Sequence, residues 1–113
     1  MARAATTADV FNAVAEPRRR QILDLLAGGE RSVGDIVDAL GLGQPQVSKH
    51  LRVLREVGAL QVRGDGRRRF YRLNADALRP IHAWVARYEQ HWSEAFAALD
   101  TVLAELKDKE EPR

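Results

Sequence analysis

The chain of 113 residues is long enough for one domain with a modest hydrophobic core, and 45% of its residues are hydrophobic while 30% are charged. It contains no cysteine, which excludes disulfide bonds, thiolate metal ligands and thiol redox sensing. No apolar run approaches the about 18 residues of a membrane-spanning helix, and the N-terminus lacks the apolar core of a signal peptide, so we expect a cytoplasmic protein.

The net charge of +2 conceals a separation of charge along the chain. Between Gln44 and Leu73 the sequence has eight lysines and arginines and two acidic residues, a net charge of +6, which leaves −4 for the rest. Basic charge concentrated in one contiguous segment is typical of proteins that bind nucleic acid.

The N-terminal region predicts a loose arm followed by two helices. Met1 to Ala5 form the arm, and Thr6 or Thr7 is placed to cap a first helix that reaches Ala15. The apolar stripe of this helix consists of Val10, Phe11 and Val14.

A second helix is expected from Pro17 to Ala27, with proline in its first turn and Gly28-Gly29 at its end. Its buried side chains are expected to be Ile22, Leu23, Leu25 and Leu26. The first turn also carries Arg18, Arg19 and Arg20, although the helix dipole disfavours cations there. These arginines either form a solvated basic turn or are paired with phosphates or acidic neighbours.

Residues 32–57 predict a helix-turn-helix. Ser32 starts its first helix and forms a capping-box-like pair with Asp35. The side chains of this helix that face inward are Ile36, Val37 and Leu40. The turn is Gly41-Leu42-Gly43, and the second helix, named here the reading helix, extends from Gln44 to Val57.

The reading helix has the pattern of a helix that inserts into the major groove of DNA. Gly43 suits its N-cap, and Gly58 suits the left-handed position past its end. A rotation of about 100° per residue separates an inner face (Val47, Leu51, Leu54) from an outer face (Gln44 at its rim, Ser48, Lys49, Arg52). An apolar back with an amide, a hydroxyl and cations in front suits base reading, although an ordinary amphipathic surface helix shares this pattern. His50 lies beside the inner face and is expected to be packed or hydrogen-bonded rather than to read a base.

Residues 60–73 predict a two-stranded wing. Two alternating segments, Leu60–Arg63 and Phe70–Leu73, flank a tight-turn signal at Gly64-Asp65-Gly66. Its arginines are Arg63, Arg67, Arg68, Arg69 and Arg72. Because like charges on adjacent strands repel, this set indicates a polyanionic partner, and backbone phosphates are the simplest one. Arg72 could equally pair with an acid of its own fold.

The C-terminal region predicts a short turn over Ala75 to Arg79, one long dimerisation helix from Pro80 to Lys107, and a frayed tail over residues 108–113. Spacings of three and four residues align one apolar seam: Leu78, Ile81, Val85, Tyr88, Trp92, Ala95, Leu99, Val102 and Leu106, widened by Trp84, Phe96 and Leu103. A domain of this size cannot cover such a face by itself, so we expect a second subunit to cover it. Trp84 and Trp92 could instead line a small-molecule pocket, but packing is favoured.

In this order the elements resemble the ArsR-type winged helix-turn-helix repressors of bacteria. The resemblance is carried by EPRRRQILDLL, QPQVSKHLRVLREVGAL and RRRFYRLN, and it extends over about residues 8–105. It implies a mainly α fold in a single domain, a winged helix-turn-helix with a two-stranded β-hairpin wing and a long C-terminal dimerisation helix. Family members usually have serine where this chain has Gly43, so one capping hydrogen bond is expected to be lost.

The resemblance also implies a homodimer, joined through its first and last helices, that binds double-stranded DNA with two-fold symmetry and is released by a small-molecule effector. Base contacts would come from the start of the reading helix, at Gln44, Ser48 and Lys49. The residues expected at the DNA backbone are Arg52, Arg63, Arg67, Arg68 and Arg69. Those expected in the dimer interface are Val10, Phe11, Val14, Ile81, Val85, Tyr88, Trp92 and Leu99.

Many relatives in this family sense metals, and here the sequence departs from their pattern. The thiolate site needs cysteines, and the corresponding helix SVGDIVDAL has none. The other common site spaces two histidines eleven residues apart, whereas His82 and His91 are nine apart and face opposite sides of a helix. His91 and Glu94 share a face and could form a weaker ligand pair, but we predict neither a metal nor a cofactor.

We therefore expect a DNA-binding transcriptional regulator, a homodimeric repressor of a palindromic operator. The alternative is a protein-interaction module of winged-helix fold that no longer binds DNA, and the arginine-rich wing argues against it. An enzyme is disfavoured because no Ser/His/Asp grouping, glycine-rich phosphate loop or metal triad is visible.

Overall fold

The computed structural model describes residues 9–110, which form two compact units divided between Ile81 and His82. The predicted arm, the predicted cap at Thr6 or Thr7, and the last part of the predicted tail lie outside the described residues. None of the helices over residues 9–110 combines the length and the apolar character that crossing a membrane requires.

The described part of the first unit contains the helices and the wing that the sequence predicts. In chain order the elements are α1 (Val10–Val14), α2 (Pro17–Ala27), β1 (Arg31–Ser32), α3 (Val33–Leu40), α4 (Gln44–Glu56, the reading helix), β2 (Leu60–Asp65), β3 (Arg68–Leu73) and a 3₁₀ turn (Ala75–Leu78). The helix α5 (Arg79–Ala86) follows, and α6 (Glu89–Glu110) lies in the second unit. The fold is therefore a mainly helical winged helix-turn-helix, as predicted.

The first described helix is capped by Asp9, whose Oδ1 accepts a hydrogen bond of 2.7 Å from the backbone N–H of Asn12. Its other end is capped by arginines from the next helix. The guanidinium of Arg19 donates to the carbonyl oxygen of Ala13 at 2.6 Å, and that of Arg20 donates to the carbonyl oxygen of Val14 at 2.5 Å. The last carbonyls of a helix lack partners within it, so these two arginines fix the end of α1. Arg18 and Arg20 are exposed, whereas Arg19 is half-buried, and Arg18 donates to Gln21 Oε1 at 3.1 Å.

The predicted capping box at the start of α3 is present. The backbone N–H of Asp35 donates to Ser32 Oγ at 3.1 Å, and the backbone N–H of Ser32 donates to Asp35 Oδ2 at 3.3 Å. These hydrogen bonds from Ser32 hold the pKa of Asp35 below its usual range. The start of the helix-turn-helix is therefore fixed by local contacts.

The reading helix begins after Gly43, which makes no side-chain capping bond, and ends at Glu56. Gly58 has a φ of 81°, as predicted for the left-handed residue beyond the helix. The inner face of this helix meets α2 and α3 in one core, whose most deeply buried large side chains are Ile22, Ile36, Val47, Leu51 and Leu54. Leu25, Val37 and Leu40 are only half-buried and pack against that core.

The wing differs from the sequence prediction at its turn and in its strand number. Asp65 pairs with Arg68, so the turn is Gly66-Arg67 rather than Gly64-Asp65-Gly66, and Gly64 and Asp65 belong to β2. Gly66 has a φ of 65° whereas Arg67 has no positive φ, which is the pattern of a type II′ hairpin. The strand order is β1-β3-β2, because Arg31-Ser32 pairs with β3 as a third strand that the sequence did not predict.

The predicted single helix from Pro80 to Lys107 is wrong, because the chain leaves the α-helix at Arg87-Tyr88. There the backbone N–H groups of Arg87 and Tyr88 donate to the carbonyls of Trp84 and Val85, three residues back, at 3.2 and 2.9 Å. Bonds of this spacing tighten the turn and end the regular ladder of α5. The helix α6 then continues to Glu110, so residues 108–110 are helical rather than part of a frayed tail.

Candidate nucleic-acid interface

The outer face of the reading helix has four polar side chains that make no contact with a partner within residues 9–110. Gln44, Ser48, Lys49 and Arg52 are all exposed, whereas Val47 on the inner face is fully buried. Within the described residues none of these four polar side chains has a hydrogen-bond or ion-pair partner. The face predicted to meet DNA therefore presents an amide, a hydroxyl, an ammonium and a guanidinium to solvent.

Two open clefts connect this face with the wing. The first, named the helix–wing cleft, has a volume of about 480 Å³ and is lined by Ser48, Arg52, Arg55, Glu56, Arg69 and Tyr71. The second, named the tip cleft, has a volume of about 360 Å³ and is lined by Ser32, Val33, Gly34, Gln44, Arg67, Arg68 and Arg69. Arg69 lines both clefts, so the wing and the reading helix contribute to one continuous basic surface.

Arg55 is a further cation of the outer face that was not predicted from the sequence. It is exposed, has no hydrogen-bond or ion-pair partner among the described residues, and lines the helix–wing cleft beside Arg52 and Arg69. The spacing could have revealed it, because eleven residues of about 100° each return Arg55 to within about 20° of Gln44 on the helix surface. Arg55 therefore extends the outer face toward the wing.

The five arginines of the wing fall into two groups, and the first group has partners within the fold. Arg63 donates through Nε and Nη2 to both carboxylate oxygens of Glu30, at 3.0 and 2.9 Å. Arg72 donates to Gln61 Oε1, an amide rather than the acid suggested by the sequence, and Arg68 donates to Ser32 Oγ at 3.3 Å. The guanidinium of Arg63 is therefore paired with a carboxylate within the fold, and its contact with a DNA phosphate stays a prediction.

The paired state of Arg63 also appears in the electrostatics. Its hydrogen bonds hold the pKa of Glu30 below the usual range, and the same pairing raises the pKa of Arg63. The second group of wing arginines consists of Arg67 and Arg69, which are exposed and have no partner among residues 9–110. These two are the wing cations available to an external anion.

His50 faces the packed side of the reading helix. Its Nε2 lies 3.3 Å from Glu16 Oε2, and its side chain is only 17% exposed. The other carboxylate oxygen of Glu16 accepts a hydrogen bond from the backbone N–H of Arg18 at 2.9 Å. This geometry favours the packed interpretation of His50 over base reading, although its Nδ1 is buried without a hydrogen-bond partner among the described residues.

No three His, Asp or Glu side chains within residues 9–110 lie close enough to hold one metal ion. His82, His91 and Glu94 are all exposed in the second unit. The ring of His91 lies 6.4 Å from that of Tyr88, a tilted aromatic contact. The structure therefore shows His91 packed beside an aromatic ring.

The second unit exposes a broad apolar face. Its exposed large side chains are Trp84, Tyr88, Trp92, Phe96, Leu99, Val102, Leu103 and Leu106, from 41% to 64% exposed. On α6 they lie within an arc of about 120°, and Gln90 lies opposite its centre. Of the other residues predicted for a dimer interface, Phe11 is exposed and Val14, Ile81 and Val85 are half-buried. Val10 is buried within the chain, and its place in a dimer interface stays a prediction.

Comparison with known proteins agrees with this architecture. Residues 16–61 match the family model of bacterial regulatory proteins of the arsR family. The chain is 34% identical over 80 residues to the transcriptional repressor SdpR of Bacillus subtilis, covering 71% of this chain and 89% of SdpR. It is 35% identical over 102 residues to the regulator Rv0324 of Mycobacterium tuberculosis, covering 89% of this chain but only 45% of that regulator, less than half its length.

A solved structure of a homodimeric winged helix-turn-helix DNA-binding domain from Mycobacterium bovis is also similar. It is 36% identical, with a TM-score of 0.61, and the match covers 80% of this chain and 84% of that domain. The family match includes the helix-turn-helix whose outer face is described above. The chain belongs to the ArsR family of bacterial regulatory proteins.

Proposed function

We propose that this protein is a homodimeric transcriptional repressor that binds an operator through the reading helix and the wing tip. One observation carries the proposal: unpartnered polar side chains of the reading helix and unpartnered arginines of the wing line the same two clefts. A surface that combines base-reading groups with adjacent cations matches the grooves and the phosphates of duplex DNA.

The base contacts are assigned to the N-terminal half of the reading helix. The amide of Gln44 can donate to and accept from adenine, the ammonium of Lys49 suits guanine O6 and N7, and the hydroxyl of Ser48 can bond either. All three side chains are exposed on α4. Their lack of partners within the described residues leaves their hydrogen-bonding capacity for base edges.

The phosphate contacts are assigned to guanidinium groups around the two clefts. Arg52 and Arg55 come from the reading helix, and Arg67 and Arg69 come from the wing. Arg68 also lines the tip cleft, but one of its donors is already used by Ser32. Such contacts position the protein on the duplex and carry little sequence information.

The dimer is assigned to the apolar face of the second unit. A continuous exposed apolar surface of this kind marks an interaction site. The homodimeric state of the related Mycobacterium bovis domain supports a second copy as the partner. Two copies bring two reading helices to half-sites about 34–36 Å apart, which makes the operator palindromic.

The proposal places the protein in the cytoplasm and gives it no catalytic activity. It also includes the release of DNA when a small-molecule effector binds. The alternative, an interaction module that binds no DNA, leaves Arg67 and Arg69 without a role. Repression is favoured because the relative SdpR is named a transcriptional repressor.

The test is selection of bound duplexes from a random pool, followed by titration of the selected duplex at several salt concentrations. We expect a palindrome whose half-sites are one helical turn apart, and an affinity that falls steeply with salt. Failure to enrich any duplex, with a folded protein, would favour the interaction module.

A further inference from the structure

The base of the wing contains an ion pair that crosses the sheet. Glu30 immediately precedes β1 at one edge, and Arg63 belongs to β2 at the other edge, with β3 between them. Their side chains meet in a bidentate contact, with Nε and Nη2 of Arg63 at 3.0 and 2.9 Å from the two carboxylate oxygens. Phe70 on β3 lies beneath, since the guanidinium carbon of Arg63 is 4.9 Å from its ring centroid.

This pair lies where the sheet narrows. Ser32 pairs with Phe70, and Phe70 pairs with Arg63, so these three residues form the outermost row that has three strands. Beyond this row the wing continues as two strands only, through the pairs Gly64 with Arg69 and Asp65 with Arg68. A two-stranded hairpin is marginally stable by itself, so the direction of the tip depends on how its base is held.

We propose that Glu30, through its bidentate pair with Arg63 over Phe70, is a positioning residue that holds the wing tip in the orientation needed for DNA binding. Glu30, Arg63 and Phe70 together form the Glu30 clamp. This inference rests on the proposed function, because the consequence of a displaced tip is read as a loss of DNA affinity. In this role Arg63 stabilises the base of the wing through its pair with Glu30 and makes no contact with a DNA phosphate.

The geometry makes this pair more effective than an isolated surface ion pair. The contact is bidentate, the guanidinium is stacked over an aromatic ring, and the Glu30 side chain is only 30% exposed. Arg68 adds a second connection at the same row, because it lies 5.0 Å from the Phe70 centroid and donates to Ser32 Oγ. The clamp therefore connects both edges of the sheet through its middle strand.

The direction in which DNA affinity changes when Glu30 is neutralised distinguishes a positioning role from a purely electrostatic one. Removing the negative charge of Glu30 near a polyanion should strengthen DNA binding if charge alone mattered. The clamp predicts the opposite result, since Glu30→Gln replaces a bidentate carboxylate with a neutral amide that offers Arg63 only one acceptor oxygen, which loosens the wing. We expect Glu30→Gln to weaken operator binding by about threefold to tenfold.

Asp65→Asn is the matched control. Asp65 carries the same charge on the same face of the sheet, nearer the tip, and its carboxylate lies 4.0 Å from Arg63 Nη1, beyond hydrogen-bonding distance. Its removal should leave operator affinity unchanged or raise it.

Arg63→Gln should weaken binding as Glu30→Gln does, with the slope of log affinity against log salt unchanged.

A charge reversal tests the pair itself. The double variant Glu30→Arg with Arg63→Glu keeps the net charge and rebuilds the pair in the opposite direction, so it should recover most of the lost affinity. Hydrogen exchange of the β2 and β3 amides, measured without DNA, should accelerate in Glu30→Gln and in Arg63→Gln. In the double variant the exchange rates should return toward those of the wild type. Circular dichroism on all variants checks that the helices are intact.

Several results would overturn the clamp. These are a Glu30→Gln variant that binds as tightly as wild type or more tightly, wing amides that exchange at the wild-type rate, or an Arg63→Gln variant whose salt slope falls by about 0.9 per subunit. If the wild-type protein binds no duplex, the proposed function fails, and hydrogen exchange still decides whether Glu30 holds the wing.

Discussion

At the level of single residues, the side chains on the outer face of the reading helix differ between the N-terminal and the C-terminal half of the helix. Gln44 and Ser48 occupy the N-terminal half, where a helix of this type approaches base edges. Arg52 and Arg55 follow in the C-terminal half and line the helix–wing cleft. From this order we expect sequence preference to depend on the first two turns of the helix and salt dependence on the last two.

Replacing Gln44 or Lys49 by alanine should relax the preference at one base position of each half-site. A bidentate contact to a base contributes about 1–3 kcal/mol of discrimination, so a loss of this size per half-site is expected. Selection of bound sequences with each variant measures it. Gln46→Ala is the control, because Gln46 is an exposed amide on the same helix about 160° away from Gln44. An unchanged base pattern in Gln44→Ala would remove this residue from readout.

Replacing Arg67 and Arg69 together by alanine should weaken binding to specific and unspecific duplexes alike. Each lost phosphate contact lowers the slope of log affinity against log salt by about 0.9. Arg72→Ala removes the same charge from the same wing, but Arg72 is bonded to Gln61, so its slope should stay near wild type. A slope unaffected by the double substitution would take the wing tip out of the DNA interface.

The sequence could predict which residue types face outward but not which of them are already paired. Gln44, Ser48 and Lys49 follow from the helical period alone, and the structure places all three on the exposed face. The partner of Arg63 lies 33 residues away along the chain, and that contact depends on a two-residue strand too short to show an alternating pattern. Local pattern therefore set only Arg72 apart as open to an internal partner, whereas tertiary structure also gives partners to Arg63 and Arg68 and leaves two wing arginines without one among residues 9–110.

At the level of elements, the ends of the helix-turn-helix are fixed by capping, and one cap is incomplete. Gly43 occupies the N-cap of the reading helix with a φ of −69° and no side-chain bond. A Cβ at this position would approach no closer than 3.8 Å to Pro45, an ordinary contact. A residue with a capping hydroxyl can therefore occupy this position without strain.

Gly43→Ser should raise the free energy of unfolding by a few tenths of a kcal/mol to about 1 kcal/mol, because its hydroxyl can accept from a free N–H of the first turn. Urea denaturation followed by circular dichroism measures the change. Gly41→Ser provides the contrast: Gly41 has a φ of 66°, so the same substitution should cost about 1 kcal/mol there. Equal effects at the two glycines would contradict this account of the turn.

The position of the turn between β2 and β3 could not be predicted from the local sequence. Gly64 and Gly66 flank Asp65, so the residues alone allow the turn at more than one register. The core decides between them, because Leu60 and Val62 must lie on the same sheet face as Tyr71 and Leu73, and the observed pairing achieves this. The interruption at Arg87-Tyr88 had no such signal, since neither glycine nor proline stands there.

At the level of the whole molecule, the proposed function requires a second copy of the chain. One reading helix contacts a single half-site, and a palindromic operator requires two of them at a fixed separation. In the second unit, α6 presents a large exposed apolar surface, on which Trp92 is 46% exposed and Leu99 is 52% exposed. Burying the exposed half of two indole rings, about 100 Å² each, contributes about 5 kcal/mol to the dimer.

Trp92→Asp should therefore convert the dimer to a monomer at micromolar concentration, because it replaces that burial with a carboxylate that has no partner in the interface. The variant should lose affinity for the full operator far more than for a half-site, since each half-site is then bound independently. Gln90→Asp is the matched control: it adds the same carboxylate on the polar side of α6 and should remain dimeric. Sedimentation equilibrium gives the oligomeric state, and parallel titration of full and half operators gives the affinities. A Trp92→Asp protein that stays dimeric and binds the full operator as wild type does would place the dimer contact elsewhere on the chain.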